Sequence, residues 1–189
     1  MSNLTEKAIK ASALKLLNEK PLNQITIKDI VEDCGINRNS FYYHFRDLPS
    51  LIEGMVMEQA DNIINDHPAI SSLEECVDAA ISFAVNNRKA AMHIYNSVSR
   101  DVYEQSLWRI CEHAVKQYMD SILHDIPIED FDREVIIHFY KCSVFGAVLD
   151  WQRGGMKSDI RKQAMRFYEL KKGTLENFAQ RYKVPDTPH

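Results

Sequence analysis

Residues 26–45 read TIKDIVEDCGINRNSFYYHF, and the punctuation inside this stretch decides the fold. Thr26 followed three positions later by Asp29 is the pattern of a capped helix start, and Ile27, Ile30, Val31 and Cys34 then fall at i, i+3, i+4 and i+7 on one face. Gly35 stops that helix, because glycine enters the left-handed conformation without a Cβ clash. Only Ile36 and Asn37 separate it from the next helical segment, where Asn37 is a good N-cap and Phe41 and Phe45 lie four apart. Two short helices joined by a tight turn form a helix-turn-helix.

Upstream, the spacing of Ile9, Ala13, Leu16 and Leu17 predicts a helix from about Thr5 to Glu19, with Pro21 just beyond its end. Downstream, Asp47 caps a longer helix that tolerates Pro49 in its first turn and continues through Ile52, Met55, Val56 and Ile63 to about Asp66. His67-Pro68 ends it. Ser72 with Glu75 forms a capping box for a helix from Leu73 to Asn87, and Arg88 to Val98 reads as a further helix bent from it at Asn86-Asn87. A long helix follows from Asp101 to Leu123, with Leu107, Ile110, Cys111, Ala114, Tyr118 and Ile122 on one side, ended by His124-Asp125-Ile126-Pro127. Another spans Glu129 to Arg153, closed by Gly154-Gly155. Apolar residues wrap most of its circumference, so it needs cover on more than one side. Ser158 caps a last helix running to about Tyr182, with Gly173 marking a bend or a close approach. The fold class is all-α.

The composition agrees. The 189 residues are 45% hydrophobic and 26% charged, and six Gly and six Pro are few for a many-stranded protein. No stretch approaches about 18 uninterrupted apolar residues, and the N-terminus enters an amphipathic pattern directly. The expectation is a cytoplasmic chain with no membrane span. Four cysteines, Cys34, Cys76, Cys111 and Cys142, stand far apart on apolar faces and read as free buried thiols. The net charge of −4 argues against bulk electrostatic coating of nucleic acid. Residues 1–50, however, hold seven Lys/Arg against six Asp/Glu, which leaves −5 for residues 51–189. An acidic body can carry a small, focused DNA-binding head.

On a helix starting at Asn37, Phe41 and Phe45 point inward, and Arg38, Asn39, Tyr42 and Tyr43 are left to face outward. Such a helix fits the DNA major groove, where Arg pairs with guanine, Asn with adenine, and Tyr or His donates to phosphate. Lys28 and Arg46 read equally well as solvated charges or as backbone contacts.

Residues from about Leu4 to Leu51 resemble the DNA-binding domain of the TetR family of transcriptional regulators. The resemblance is carried by Thr26-Ile-Lys-Asp-Ile-Val, Cys34-Gly35-Ile36-Asn37-Arg38, Phe41-Tyr42-Tyr43-His44-Phe45, and Leu51 after the capped turn. Within the family the segment is similar to a subgroup that includes activators of dihydroxyacetone kinase operons. The resemblance implies that Thr26 meets a phosphate, that Arg38 and Asn39 open the base-reading helix, and that Tyr42, Tyr43 and His44 contact phosphates. Lys28, Asn37 and Ser40 complete the candidate DNA-binding set. Where the family commonly carries a phosphate-anchoring Lys after the cap of the fourth helix, this chain has Leu48. The resemblance further implies a DNA-binding domain over residues 1–47 and an effector-binding and dimerisation domain over 48–189, with double-stranded operator DNA, a second copy of the chain and a small-molecule effector, or a protein in place of that effector, as partners.

The long C-terminal helices independently carry more apolar surface than one small domain buries, which points to a homodimer through Phe145, Leu149, Phe167, Leu175 and Phe178. Polar or aromatic residues on otherwise apolar faces are candidates for an effector pocket: His93, Tyr95, Trp108, Cys111, His138 and Cys142. His138 and Cys142 are also spaced to share a metal with Cys111 or His113, but no second short-spaced pair accompanies them, so no metal or cofactor is expected. No Gly-rich phosphate loop, nucleophile elbow, HExxH or close acid pair is present, which argues against an enzyme.

Overall fold

The computed structural model describes residues 2–67, 73–97, 100–124 and 128–171. Helices account for nearly all of them, and no strand occurs among the described residues. In chain order the helices are α1 Ser2–Glu19, α2 Ile27–Cys34, α3 Arg38–His44, α4 Leu48–Asp66, α5 Leu73–Asn86, α6 Arg88–Tyr95, α7 Arg100–Leu123, α8 Asp130–Arg153 and α9 Ile160–Lys171. A short 3-10 turn at Leu22–Gln24, which the sequence reading leaves as a loop, joins α1 to α2 and buries Leu22. The expected cap at Ser72, the helix end at Val98 and the bend at Gly173 lie outside the described residues.

Contacts divide the chain into two compact units, Met1–Gln59 with Phe83–Ile110, and Ala60–Ser82 with Cys111–His189. The first unit is built on a core of Ile9, Leu17, Ile30, Phe41, Leu51 and their neighbours, so each of α1 to α4 buries a side chain in it. Helix α6 lies along α1, contributes Ala90 to the core, and bonds His93 Nδ1 to the Leu17 carbonyl at 2.7 Å. That bond meets one of the last carbonyls of α1, which lack a partner within the helix. Ion pairs brace the outside: Lys10 reaches Glu6 and Glu58, both at 2.6 Å, and Arg109 grips Glu53 through two bonds of 2.7 Å.

The local signals behave as the residues dictate. Thr26 Oγ1 accepts the Asp29 amide and the Asp29 carboxylate accepts the Thr26 amide, a complete capping box. Gly35 ends α2 at φ 67°, in the left-handed region. Asp47 Oδ1 accepts the Ser50 amide at 2.8 Å to start α4. The α5 to α6 break falls at Asn87, whose side chain and backbone amide both donate to the Phe83 carbonyl.

In the second unit the inner face of α7 carries Cys111, Val115, Tyr118 and Met119. Ala114, placed with that stripe by periodicity, is only half-buried. Arg133 of α8 donates to Asp120 and to the Leu123 carbonyl at the end of α7. Lys141 is buried with its ammonium on Glu112 at 2.8 Å, which satisfies a charge that would otherwise be costly to desolvate. After α8 the chain turns through Gly155 and Met156, both at positive φ, while Trp151 Nε1 donates to the Ser158 carbonyl. The cap of α9 is Asp159, whose Oδ1 accepts the Lys162 amide, and not Ser158 as the sequence suggested. Arg161 then ties α9 to Asp78 and Ser82 of α5.

Candidate nucleic-acid interface

Helix α3 has one buried and one open side. Phe41 is wholly buried, and Phe45 and Ile36 pack half-buried against the same core. The ring of Phe41 meets Tyr42 edge-on at 5.6 Å and Phe45 at 5.9 Å. Around the rest of the helix, Arg38 and Asn39 are exposed, Tyr42 is 47% exposed and Tyr43 78%. Two tyrosines left in water beside an arginine and an asparagine form a surface of donors and flat rings, the chemistry that reads base edges and phosphates.

Arg38 is held in place. Its Nη2 donates to the Tyr42 hydroxyl at 3.1 Å, and its guanidinium lies over the Tyr42 ring, 5.5 Å from the centroid. Stacking on an aromatic face orients the planar fork before any partner arrives. Asn39 stands beside it, exposed.

Other residues of the set are partly engaged already. Asn37 Oδ1 accepts both the amide and the hydroxyl of Ser40, so these two side chains serve the start of α3. Thr26 is exposed, and its hydroxyl oxygen accepts the Asp29 amide at the start of α2. Lys28 pairs with Glu32 at 3.7 Å and Arg46 with Asp47 at 2.9 Å. His44, which the resemblance assigns to a phosphate, has a side chain only 8% exposed, with Nδ1 3.8 Å from Glu6 of α1 and its ring edge-on to Tyr43. Helix α1 covers it. Leu48, in the place of the family's lysine, packs half-buried on the head core.

Electrostatics around the site come from caps and braces. Backbone amides hold two carboxylates below their ordinary range, the Thr26 amide for Asp29 and the Ser50 amide for Asp47. The bond from Lys10 does the same for Glu6. Lys10 also lies over the Phe45 ring at 5.8 Å, linking α1, the end of α3 and Glu58 of α4. Only the Glu6–Lys10 spacing of four leaves a sequence signal for this network; the long-range pairs leave none.

The effector candidates are divided between the two units. In the first unit, Tyr95 meets Tyr103 edge-on at 5.1 Å, His93 is spent on Leu17, and Trp108 is half-buried. In the second, Cys111 is buried and burial pushes its thiol up to about 12, while His138 and Cys142 neighbour each other on α8. A groove of about 400 Å³ in this unit is lined instead by Asp61, Ile64 and Asn65 of α4 and Gln117, Asp120 and Ser121 of α7. Polar residues dominate it, and Asp61 meets His113 at 2.6 Å. Among the described residues no cluster of three or more His, Cys, Asp or Glu could hold a metal within the chain, so Cys111 and His113 do not join His138 and Cys142.

Of the expected dimer residues, Leu149 is buried within its own chain, Phe145 is half-buried and Phe167 is exposed; Leu175 and Phe178 lie outside the described residues. The exposed apolar residues of α8 include Phe131, Val135 and Phe139. No helix among the described residues is long and apolar enough to cross a membrane.

Comparison with known proteins agrees with this geometry. Residues 9–53 match the family described as bacterial regulatory proteins, tetR family, and residues 71–173 match the transcriptional regulator C-terminal region. The HTH-type transcriptional regulator EthR from Mycobacterium tuberculosis (strain H37Rv) is 37% identical over 60 residues, as is that from Mycobacterium bovis (strain AF2122/97). The match covers 32% of this chain and 26% of each relative, so it spans about a quarter of their length. The solved structure of the dihydroxyacetone kinase operon activator DhaS superposes with a TM-score of 0.64 over 95% of this chain and 98% of its own, at 16% identity, a likeness of fold. With two family matches that together take in most of its length, the chain belongs to the TetR family of helix-turn-helix transcriptional regulators, which are DNA-binding proteins and not enzymes.

Proposed function

We propose that the protein binds a palindromic operator as a homodimer, with α3 of each copy in the major groove. The observation that carries this reading is the split character of α3: Phe41 fixes the helix in the core while Arg38, Asn39, Tyr42 and Tyr43 are exposed. Arg38 and Asn39 read base edges, Tyr42 and Tyr43 donate to phosphates, and Thr26 places its hydroxyl on the backbone. Asn37 and Ser40 support from the cap, and His44 from beneath. Residues 1–47 serve as the reading head and 48–189 as the effector and dimerisation region. A two-fold pair of heads fits half-sites about one helical turn apart, roughly 34–36 Å.

Control by an effector would act through α4, a single helix from the head residue Leu48 to Asp61, Ile64 and Asn65 of the groove. A molecule bound there that prefers one position of α4 shifts operator affinity by the difference in its binding to the two states. The lining calls for a small polar effector. Control by a protein partner is the second reading, favoured because none of the six expected pocket residues lines that groove. Adding metabolite pools to the protein–operator complex separates the two, since only the first releases DNA without another protein.

Selection of bound fragments from genomic DNA by the purified protein tests the main reading. The expected outcome is a palindrome with half-sites one turn apart. Fragments with no shared motif overturn it.

A further inference from the structure

On α8, His138 and Cys142 stand one turn apart, with imidazole Nε2 and thiol Sγ separated by 3.7 Å. Two ligands of a tetrahedral zinc ion, bonded at about 2.0–2.1 Å through nitrogen and about 2.3 Å through sulfur, lie roughly 3.5 Å from each other. The pair is thus spaced as two corners of such a tetrahedron. Among the described residues neither group makes another hydrogen bond or ion pair, and the His138 ring is steadied edge-on by Phe139 at 5.7 Å. No third ligand comes from the same chain among those residues. One chain therefore offers two ligands and leaves two positions open.

The position of Cys142 says where the others come from. Val135, Phe139, Cys142 and Gly146 follow one another at spacings of four, three and four, the seam of a helix that packs along another helix. Phe139 is 67% exposed, and a Cβ built on Gly146 would meet nothing within 4 Å, so a second helix can approach closely there. In a symmetric pair, a residue near the two-fold axis faces its own copy. We infer that His138 and Cys142 are half of a two-chain site for a zinc-class thiophilic divalent cation, completed by the same two residues of a second copy across the α8 seam. This rests on the homodimer reading above. Two nitrogens and two sulfurs suit such an ion, and each thiol releases its proton to solvent as the metal binds.

Cobalt(II) is the probe, added to reduced, chelator-treated full-length protein, with sedimentation run in parallel with and without metal. Expected are tetrahedral d–d bands and a thiolate-to-cobalt charge-transfer band that saturate at one cobalt per two chains and are displaced by zinc. Cys142→Ser and His138→Ala, at partly exposed positions, lose the charge-transfer band while keeping the helical circular dichroism. The wild-type stoichiometry is decisive even if a variant fails to fold. A protein that is dimeric without metal and gives no thiolate band when cobalt is added overturns the site and leaves the homodimer standing. A chain that stays monomeric with and without metal overturns both. Saturation at one cobalt per chain overturns the shared site.

Discussion

On one turn of α3 Arg38 is exposed and Phe41 wholly buried, and their substitutions separate reading from folding. Arg38 is exposed and stacked on Tyr42, so Arg38→Ala should leave the circular dichroism unchanged and cost about 1–3 kcal/mol of discrimination at one base pair of the operator. Arg38→Lys should not restore it, because a point charge lacks the planar fork. Phe41→Ala empties a fully buried site and should cost about 3–5 kcal/mol of stability, losing operator binding together with the fold. Anisotropy titrations on operator and scrambled duplex, with thermal melts, tell these apart. Leu48→Lys combines both effects. It restores a phosphate contact and should steepen the slope of log K on log salt by about 0.9, while a half-buried leucine leaves the core at a cost of about 1 kcal/mol. A melt lowered with no change in salt slope would show that position 48 does not reach the backbone. These anchor and surface positions were legible because helical spacing sorts them by itself. The burial of His44 follows from the same spacing, since it lies three residues after Phe41 and so beside it on the helix.

The helices depend on their first turns. Asp29 and Asp47 each accept backbone amides at a helix start, and both are held below the ordinary carboxylate range. A depressed folded-state value means that the stabilisation is complete above the unfolded value, about 3.9, and is lost as the pH falls through the folded value. The melting temperature should therefore hold between neutrality and about pH 5 and drop below about pH 4. Asp47→Ala removes the cap of α4 and should cost about 1 kcal/mol at pH 7. Its deficit relative to wild type should shrink in acid, where the wild-type carboxylate is itself protonated. Thermal melts across pH 3–8 check this; a constant deficit would mean that charge plays no part in the cap. Such caps are short-range and were legible, as the capping box at Thr26 illustrates. Ser158 and Asp159 are both acceptable caps one residue apart, and local sequence does not choose between them; in the fold Asp159 takes the cap while the Ser158 carbonyl accepts Trp151 Nε1. The 3-10 turn at Leu22–Gln24 was missed for a similar reason: its bonds reach only to Pro21 and Leu22, too short a run for periodicity to register.

For the whole molecule, the excess of apolar surface in the C-terminal helices was legible, but its direction was not. Helix α8 is apolar around most of its girth, so counting residues could not tell Leu149, which turns into its own chain, from Phe139, which stands in solvent. The structure sorts them, and a prediction follows for the proposed homodimer. Phe139→Glu places a charge on the exposed seam without touching the buried side of α8, so the chain should keep its helical content and sediment as a monomer. Each head would then meet its half-site alone. Two linked heads experience an effective concentration in the millimolar range, and losing that linkage should weaken binding to the full palindrome by about 10²–10⁴. Affinity for an isolated half-site should stay as in wild type, because α3 and its core are untouched. Sedimentation at micromolar concentration with anisotropy on both duplexes measures all three quantities. A Phe139→Glu protein that still sediments as a dimer moves the interface off this seam. One that is monomeric yet binds the palindrome as tightly as wild type would mean that pairing of the heads contributes nothing to operator recognition.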